Sequence, residues 1–233
     1  MCHITAAHLR FASTRKDVVI SRSALWLPLL YLTLTPKPAP EQALPPAYLQ
    51  EALSQYDDAG RKRLLDFQAL IEAGRDRSDW QRLHLANDFA NRHISYRADL
   101  DHWGKNDYWA TPLESLGSGA GDCEDYAISK YFSLRSMGVA DDKLRLMYVR
   151  ALSRNEPHMV LIYFETPDAY PLVLDNMDGQ IRSARDRSDL KPIYSFNASG
   201  LWLAKASGLG KKVNNGRGNS QWTAVLDKIE QGQ

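Results

Sequence analysis

A succession of short apolar runs after residue 143 limits the fold more than any other feature of this sequence. "KLRLMYVRAL", "HMVLIYFE" and "YPLVLDNM" are rich in Val, Leu, Ile, Tyr and Phe, and turn residues separate them. "PIYSFNASGLWLA" has the pattern of a further hairpin. These runs predict a set of antiparallel strands.

The first half of the chain is helical in pattern. Between residues 46 and 91, apolar residues recur at helical spacing, as at Leu64 and Ile71, and Gly74 is placed to end one helix. One further helix is expected over 122–138, with Gly138 at its end. Helices therefore precede the strands instead of alternating with them, which indicates an α+β fold with a central helix packed on an antiparallel sheet.

The N-terminal segment has a different composition. Basic residues precede the apolar run "ALWLPLLYLTLT", and a Pro- and Ala-rich stretch follows it. This order predicts a signal peptide and linker over residues 1–43, because the run falls short of the roughly 20 residues of a membrane span. An uncleaved anchor and a start codon assigned too early are the alternatives. One domain is then expected over 46–205, with a polar tail over 206–233.

Charge and cysteine content narrow the functional classes. The formal net charge is +1, so nothing in the electrostatics favours nucleic acid as a partner. Cys2 precedes the apolar run and would be removed with it, which leaves Cys123 as the single cysteine of an exported chain. A lone thiol cannot form an internal disulfide, so Cys123 is either a buried, inert side chain or a reactive one.

Three residues could form a catalytic site around that thiol. Cys123 opens the central helix, whose N-terminus favours a thiolate. His158 opens one strand and Asp175 ends the next, so antiparallel pairing could bring them together. Cys, His and Asp are the residue types of a nucleophile, a general base and an orienting carboxylate. An edge histidine and a turn-forming aspartate are the alternatives, and His102 is the other candidate base.

The acids beside Cys123 raise a difficulty. Asp122, Glu124 and Asp125 surround the thiol in "GDCEDYA", and their charges should raise its pKa and make it a poor nucleophile. Either the thiol is inert or something neutralises the acids. Capping the helix is one role open to Asp122.

The blocks "YWATPLESLGSGAGDCEDYAISKYFSLRSMGV", "EPHMVLIYF" and "PLVLDNM" resemble the bacterial transglutaminase-like cysteine proteinases of the LapG family. The resemblance covers roughly residues 79–205. It implies a papain-like or transglutaminase-like core in which Cys123 is the nucleophile, His158 the base and Asp175 its partner. It also implies a periplasmic, calcium-dependent endopeptidase.

The same resemblance implies a substrate and a partner. Proteins of this family cleave the N-terminal region of a large RTX-type surface adhesin and so release cells from biofilms, and an inner-membrane receptor for cyclic-di-GMP sequesters them. A calcium ion held by Asp122, Glu124 and Asp125 would offset the acids around the thiol.

Two other functions share these residues. A transglutaminase or amidase would act on Gln side chains through the same thioester, and the acceptor pocket rather than the triad separates it from a peptidase. An inactive transglutaminase-like binding module would keep the fold without an activated thiol.

Overall fold

The computed structural model describes residues 46–204, 210–216 and 219–231. The predicted signal peptide and linker (1–43) lie outside these residues. No helix among them is both long and apolar enough to cross a bilayer.

Helices form the first half of the described chain, as the periodicity predicted. Gly74 ends α2, and Ser78 caps α3 by accepting a hydrogen bond from the backbone of Gln81. The helices are α1 (Pro46–Gln55), α2 (Asp58–Gly74), α3 (Asp79–His93), α4 (Asp99–Trp103), α5 (Pro112–Ser118), α6 (Cys123–Ser136) and α7 (Ser220–Gln231).

Strands form most of the second half. A two-residue parallel pair joins β1 to β2, and the other seven strands form one antiparallel sheet in the order β6-β5-β4-β3-β7-β8-β9. Its two edges are the short strand β6 and the exposed strand β9. The strands are β1 (Ser95–Tyr96), β2 (Ala120–Gly121), β3 (Leu144–Ala151), β4 (Glu156–Tyr163), β5 (Leu172–Leu174), β6 (Arg182–Ser183), β7 (Leu190–Asn197), β8 (Gly200–Leu203) and β9 (Lys211–Asn214). Helices followed by an antiparallel sheet confirm the predicted α+β class.

The central helix α6 packs against β3 and β4, the middle strands of the sheet. Its side chains from Asp125 to Leu134 are all buried. Gly138 follows the helix with φ of 95°, a left-handed conformation that favours glycine. The main core therefore lies between α6 and one face of the sheet, and it holds Leu146, Leu161 and Leu174, which are cross-strand neighbours on β3, β4 and β5.

The opposite face of the sheet carries a second, smaller apolar cluster. It contains Val149 from β3, Val160 and Ile162 from β4, and Val173 from β5, together with Phe164. These residues alternate along the strands with those that face α6, so the sheet is buried on both faces near its centre.

The segment between α3 and α6 is more structured than the sequence indicated. Residues 94–121 show no sustained apolar period, which by itself favours a loop, but α4, α5 and the β1–β2 pair lie there. Thr111 caps α5 and its partner in the capping box is Glu114. A helix of five or seven residues is too short to give a readable period.

The prediction of a polar tail over 206–233 was wrong for the described part of that segment. β9 joins the sheet, and α7 buries Trp222, Val225, Leu226 and Ile229. The indole of Trp222 meets the ring of Tyr131 edge-on at 5.1 Å. The apolar stripe begins only at Trp222 and follows a polar stretch, so the composition of the segment as a whole indicated a tail.

Candidate active site

Cys123 is the first residue of α6, and Asp122 is the residue that caps the helix. Its thiol is half-buried at the edge of the main core. The Sγ–H donates a hydrogen bond to Oε2 of Glu124 over 3.1 Å. The nucleophile candidate therefore lies at a helix N-terminus, but its proton points to a carboxylate.

The surroundings of the thiol oppose ionisation in the absence of a cation. Burial, followed by the charges of Glu124 and Asp122, raises the pKa of Cys123 well above its ordinary value. A backbone hydrogen bond from Met159 acts in the opposite direction. Met159 follows His158 in β4, so the thiol lies against the start of that strand.

His158 and Asp175 are brought together as the strand order predicted. Both side chains are fully buried, and Nε2 of His158 lies 2.7 Å from Oδ1 of Asp175. The carboxylate accepts the Nε2–H, which leaves Nδ1 as the basic atom of the neutral ring. Nδ1 is buried and has no hydrogen-bond partner in the described part of the chain. This pair has the geometry of a base and its orienting carboxylate.

Asp175 is held in its ionised form by several donors. The backbone N–H of Met177 donates to Oδ1 over 3.0 Å, and Nη2 of Arg187 donates to Oδ2 over 2.7 Å. Burial alone would raise the pKa of Asp175, but the hydrogen bond and charge of His158, together with these donors, hold it well below its usual value. The carboxylate is therefore charged at any physiological pH.

The main chain around Asp175 is fixed from α3. Nδ2 of Asn91 donates to the Asp175 carbonyl over 3.0 Å, and Nδ2 of Asn87 donates to the Gly179 carbonyl over 2.8 Å. The two amides are one helical turn apart, so α3 presents them on the same face. The turn that carries the catalytic carboxylate candidate is thus attached to a helix.

A cluster of carboxylates surrounds the start of α6. Oxygens of Asp99, Asp107 and Glu124 lie within 4.8 Å of one another, and so do oxygens of Asp99, Asp122 and Asp125. Burial and the neighbouring charge of Glu124 raise the pKa of Asp122 to about 9. Burial is also the first cause of a raised pKa for Asp99 and Glu124. The acids crowd together without a cation among the described residues to balance them.

Asp125 also organises the backbone around this cluster. Its Oδ1 accepts a hydrogen bond from the N–H of Ala110 over 2.8 Å, and its Oδ2 accepts one from the N–H of Asp122 over 3.3 Å. A β-carbon at Gly121 would lie 2.5 Å from Oδ2 of Asp125. These contacts join the segment before α5 to the start of α6.

The cluster has the chemistry of a calcium site. Its donors are carboxylate oxygens, which are the ligands that Ca²⁺ prefers. Oδ1 of Asp99 and Oδ1 of Asp122 are buried and lack a hydrogen-bond partner among the described residues. Unpartnered buried oxygens of this kind are the groups that a hard cation would satisfy.

The alternative base, His102, lies in α4 and contacts Ser118 and Trp103. Its Nε2 is 3.0 Å from Oγ of Ser118, and its ring packs against Trp103. The sequence reading missed Asp99, which reaches the acid cluster from α4, and Arg187, which reaches Asp175 from the loop before β7. Asp99 stands in "RADLDHW", and its distance along the chain from Asp122 carries no signal that the two side chains meet.

The chain matches a family model described as bacterial transglutaminase-like cysteine proteinase over residues 64–195. Among solved structures it matches Legionella pneumophila LapG at 38% identity and a TM-score of 0.68, covering 78% of this chain and 95% of that one. An EGTA-treated form of that protein matches with a TM-score of 0.69, and a calcium-bound form with 0.68, both at 38% identity and 78% of this chain, covering 95% and 97% of their own chains. No curated protein sequence matches the chain.

This chain belongs to the bacterial transglutaminase-like cysteine proteinases, and its α+β fold is that of LapG.

Proposed function

We propose that this cysteine proteinase is a calcium-dependent endopeptidase whose nucleophile, base and orienting carboxylate are Cys123, His158 and Asp175. The observation that carries the assignment is the buried hydrogen bond between His158 and Asp175 at the strand start that lies against Cys123. A His–carboxylate pair beside a thiol at a helix N-terminus has the parts that a cysteine nucleophile needs.

The proton path follows from the hydrogen bonds of the imidazole. Asp175 accepts the Nε2–H and so keeps the lone pair on Nδ1, which takes the proton of the Cys123 thiol. The thiolate attacks the scissile carbonyl carbon, and the departing amine takes the proton from Nδ1 as the thioester forms. Water then gives a proton back to Nδ1 and its hydroxide to the acyl carbon, and the C–S bond breaks to return Cys123.

Calcium dependence is supported by the carboxylate cluster. Asp99, Asp122 and Glu124 would hold the ion, with Asp107 or Asp125 completing the shell. Ca²⁺ bound there would supply the positive charge that the cluster lacks. Glu124, if it were engaged in that shell, would no longer accept the Sγ–H of Cys123, which would then be free to turn to His158. The acids beside the thiol are then compatible with catalysis.

Two N–H groups are candidates for stabilising the oxyanion. The backbone N–H of Cys123 lies at the start of α6, where the first amides of a helix have no intrahelical partner. The indole N–H of Trp103, the last residue of α4, is buried without a hydrogen-bond partner among the described residues. We assign these two donors to the oxyanion hole.

The substrate, partner and compartment follow from the family resemblance. We propose that the protein acts in the periplasm, cleaves the N-terminal region of a large RTX-type surface adhesin and thereby promotes dispersal of biofilms. A cyclic-di-GMP-sensing receptor of the inner membrane would hold it inactive by sequestration.

Cleavage of an N-terminal adhesin fragment tests this proposal. The wild-type protein with Ca²⁺ should release two fragments, Cys123→Ala should release none, and EGTA should stop cleavage until Ca²⁺ is added back. Mg²⁺ in place of Ca²⁺ is the control for ionic strength. Cleavage by Cys123→Ala would remove the nucleophile, and full activity after exhaustive chelation would remove the calcium requirement.

The same assay separates the rival functions. Incorporation of a labelled amine into Gln side chains without fragment release would indicate a transglutaminase. A thiol that alkylates no faster than free cysteine at neutral pH, with calcium present and without cleavage, would indicate a binding module.

A further inference from the structure

A cavity of about 430 Å³ lies on the face of the sheet that is turned away from α6. This volume is in the range of small-molecule sites, roughly 300–1,000 Å³. Its floor is apolar and is formed by β3, β4 and β5 with the residue after β4. The apolar lining includes Met147, Val149, Ile162, Phe164 and Val173.

Among the described residues, the charged side chains that line this cavity are Arg145 and Arg187. Arg145 is 2% exposed and Arg187 is 5% exposed, so both guanidinium groups are buried. Arg145 stacks on the ring of Trp202 at 3.7 Å. No acidic side chain in the described part of the chain belongs to the lining. A buried, apolar cavity lined by two guanidinium groups, one of them also paired with Asp175 and Asp189, favours a single anionic group on an apolar body.

One guanidinium nitrogen of Arg187 has no hydrogen-bond acceptor among the described residues. Its Nη2 donates to Asp175 and to Asp189, and its Nε donates to Asp189 over 2.9 Å. Nη1 is buried and has no hydrogen-bond partner in the described part of the chain. Buried guanidinium nitrogens are normally paired, so this nitrogen points to a missing acceptor.

We propose that the cavity binds an aliphatic carboxylate, with its chain on the floor of β3–β5 and its carboxylate on Nη1 of Arg187. A carboxylate fits better than a phosphate dianion, because one free guanidinium nitrogen and a mostly apolar lining would leave a dianion undercompensated. Cys123 and His158 are not part of the cavity lining, but the site adjoins the proposed peptidase centre, because Arg187 also donates to Asp175.

Calorimetric titration of the full chain with octanoate tests the site, with 1-octanol and octyltrimethylammonium as matched probes. Octanoate should bind one equivalent at least about tenfold more tightly than 1-octanol, because it adds a charge-assisted hydrogen bond. The cationic probe should bind more weakly than either.

Two variants locate the binding. Ala184 lines the cavity, and Ala184→Phe should fill it and weaken octanoate binding at least about tenfold. Ala169→Phe, on a turn outside the lining, is the matched control and should bind as the wild type does. Arg187→Met should bring octanoate down to the affinity of 1-octanol, with circular dichroism to check the fold.

Equal affinities for octanoate and 1-octanol, or octanoate binding that survives Ala184→Phe, would overturn the proposal, as would the absence of binding at millimolar octanoate. The titration requires no catalysis, so its failure would leave the peptidase assignment standing.

Discussion

Replacing Lys130 by Met is expected to stabilise the protein. Lys130 lies in the middle of α6 and is fully buried, and its Nζ has no hydrogen-bond partner among the described residues. Burial lowers the pKa of Lys130 from 10.5 to about 7, although the charges of Asp175 and Asp88 act to raise it. Met fills a similar volume without an ammonium group to desolvate.

The size of the effect follows from the two pKa values. Between about pH 7 and pH 10.5 the unfolded chain binds more protons at Lys130 than the folded protein does, so wild-type stability rises with pH over this range. At about 1.4 kcal/mol per pH unit, the cost of the lysine is about 4 kcal/mol at about pH 7.5 and about 1 kcal/mol at about pH 9.5. The advantage of Lys130→Met should shrink by about 3 kcal/mol over that interval.

Urea unfolding in EGTA, repeated across this pH range, measures that difference. Other titrating groups contribute equally to wild type and variant, so they cancel in the comparison. Lys62→Met is the matched control, because that side chain is 73% exposed on α2 and should change stability by less than about 0.5 kcal/mol at every pH. A difference between Lys130→Met and wild type that stays constant with pH would show that the folded protein keeps a charged, well-solvated ammonium at this position.

Three further predictions concern the catalytic pair, the cation site and the core. Asp175→Asn should lower kcat at least about 100-fold, measured by cleavage of the adhesin fragment, because the imidazole of His158 loses its orienting carboxylate; unchanged kcat would place the base elsewhere. Asp99→Asn should weaken calcium binding at least about tenfold by calorimetry, whereas Asp101→Asn, an exposed acid of the same helix, should not. Trp222→Ala should destabilise the protein by about 3–5 kcal/mol in urea, because a fully buried indole is lost; a smaller loss would mean that α7 contributes little to the core.

The sequence was informative where local pattern and tertiary structure agree. The helix that begins at Cys123 and the paired strands that carry His158 and Asp175 have regular periods, and their order alone restricted how they could pair. Asp99 and Arg187 were missed for the opposite reason. Asp99 reaches the site from the start of α4 and Arg187 from the loop before β7, and no spacing along the chain encodes that convergence. Whether a thiol donates to Glu124 or to an imidazole is likewise decided by side-chain geometry.

The two edges of the large sheet have a consequence for how the protein behaves when concentrated. An open strand edge is a template on which another chain can assemble. β6 offers two residues there, and β9 offers four, of which Lys211 and Lys212 are exposed. A second copy that paired parallel and in register along β9 would bring ammonium groups against ammonium groups. The described sheet thus protects itself from edge-to-edge aggregation by shortness on one side and by like-charge repulsion on the other.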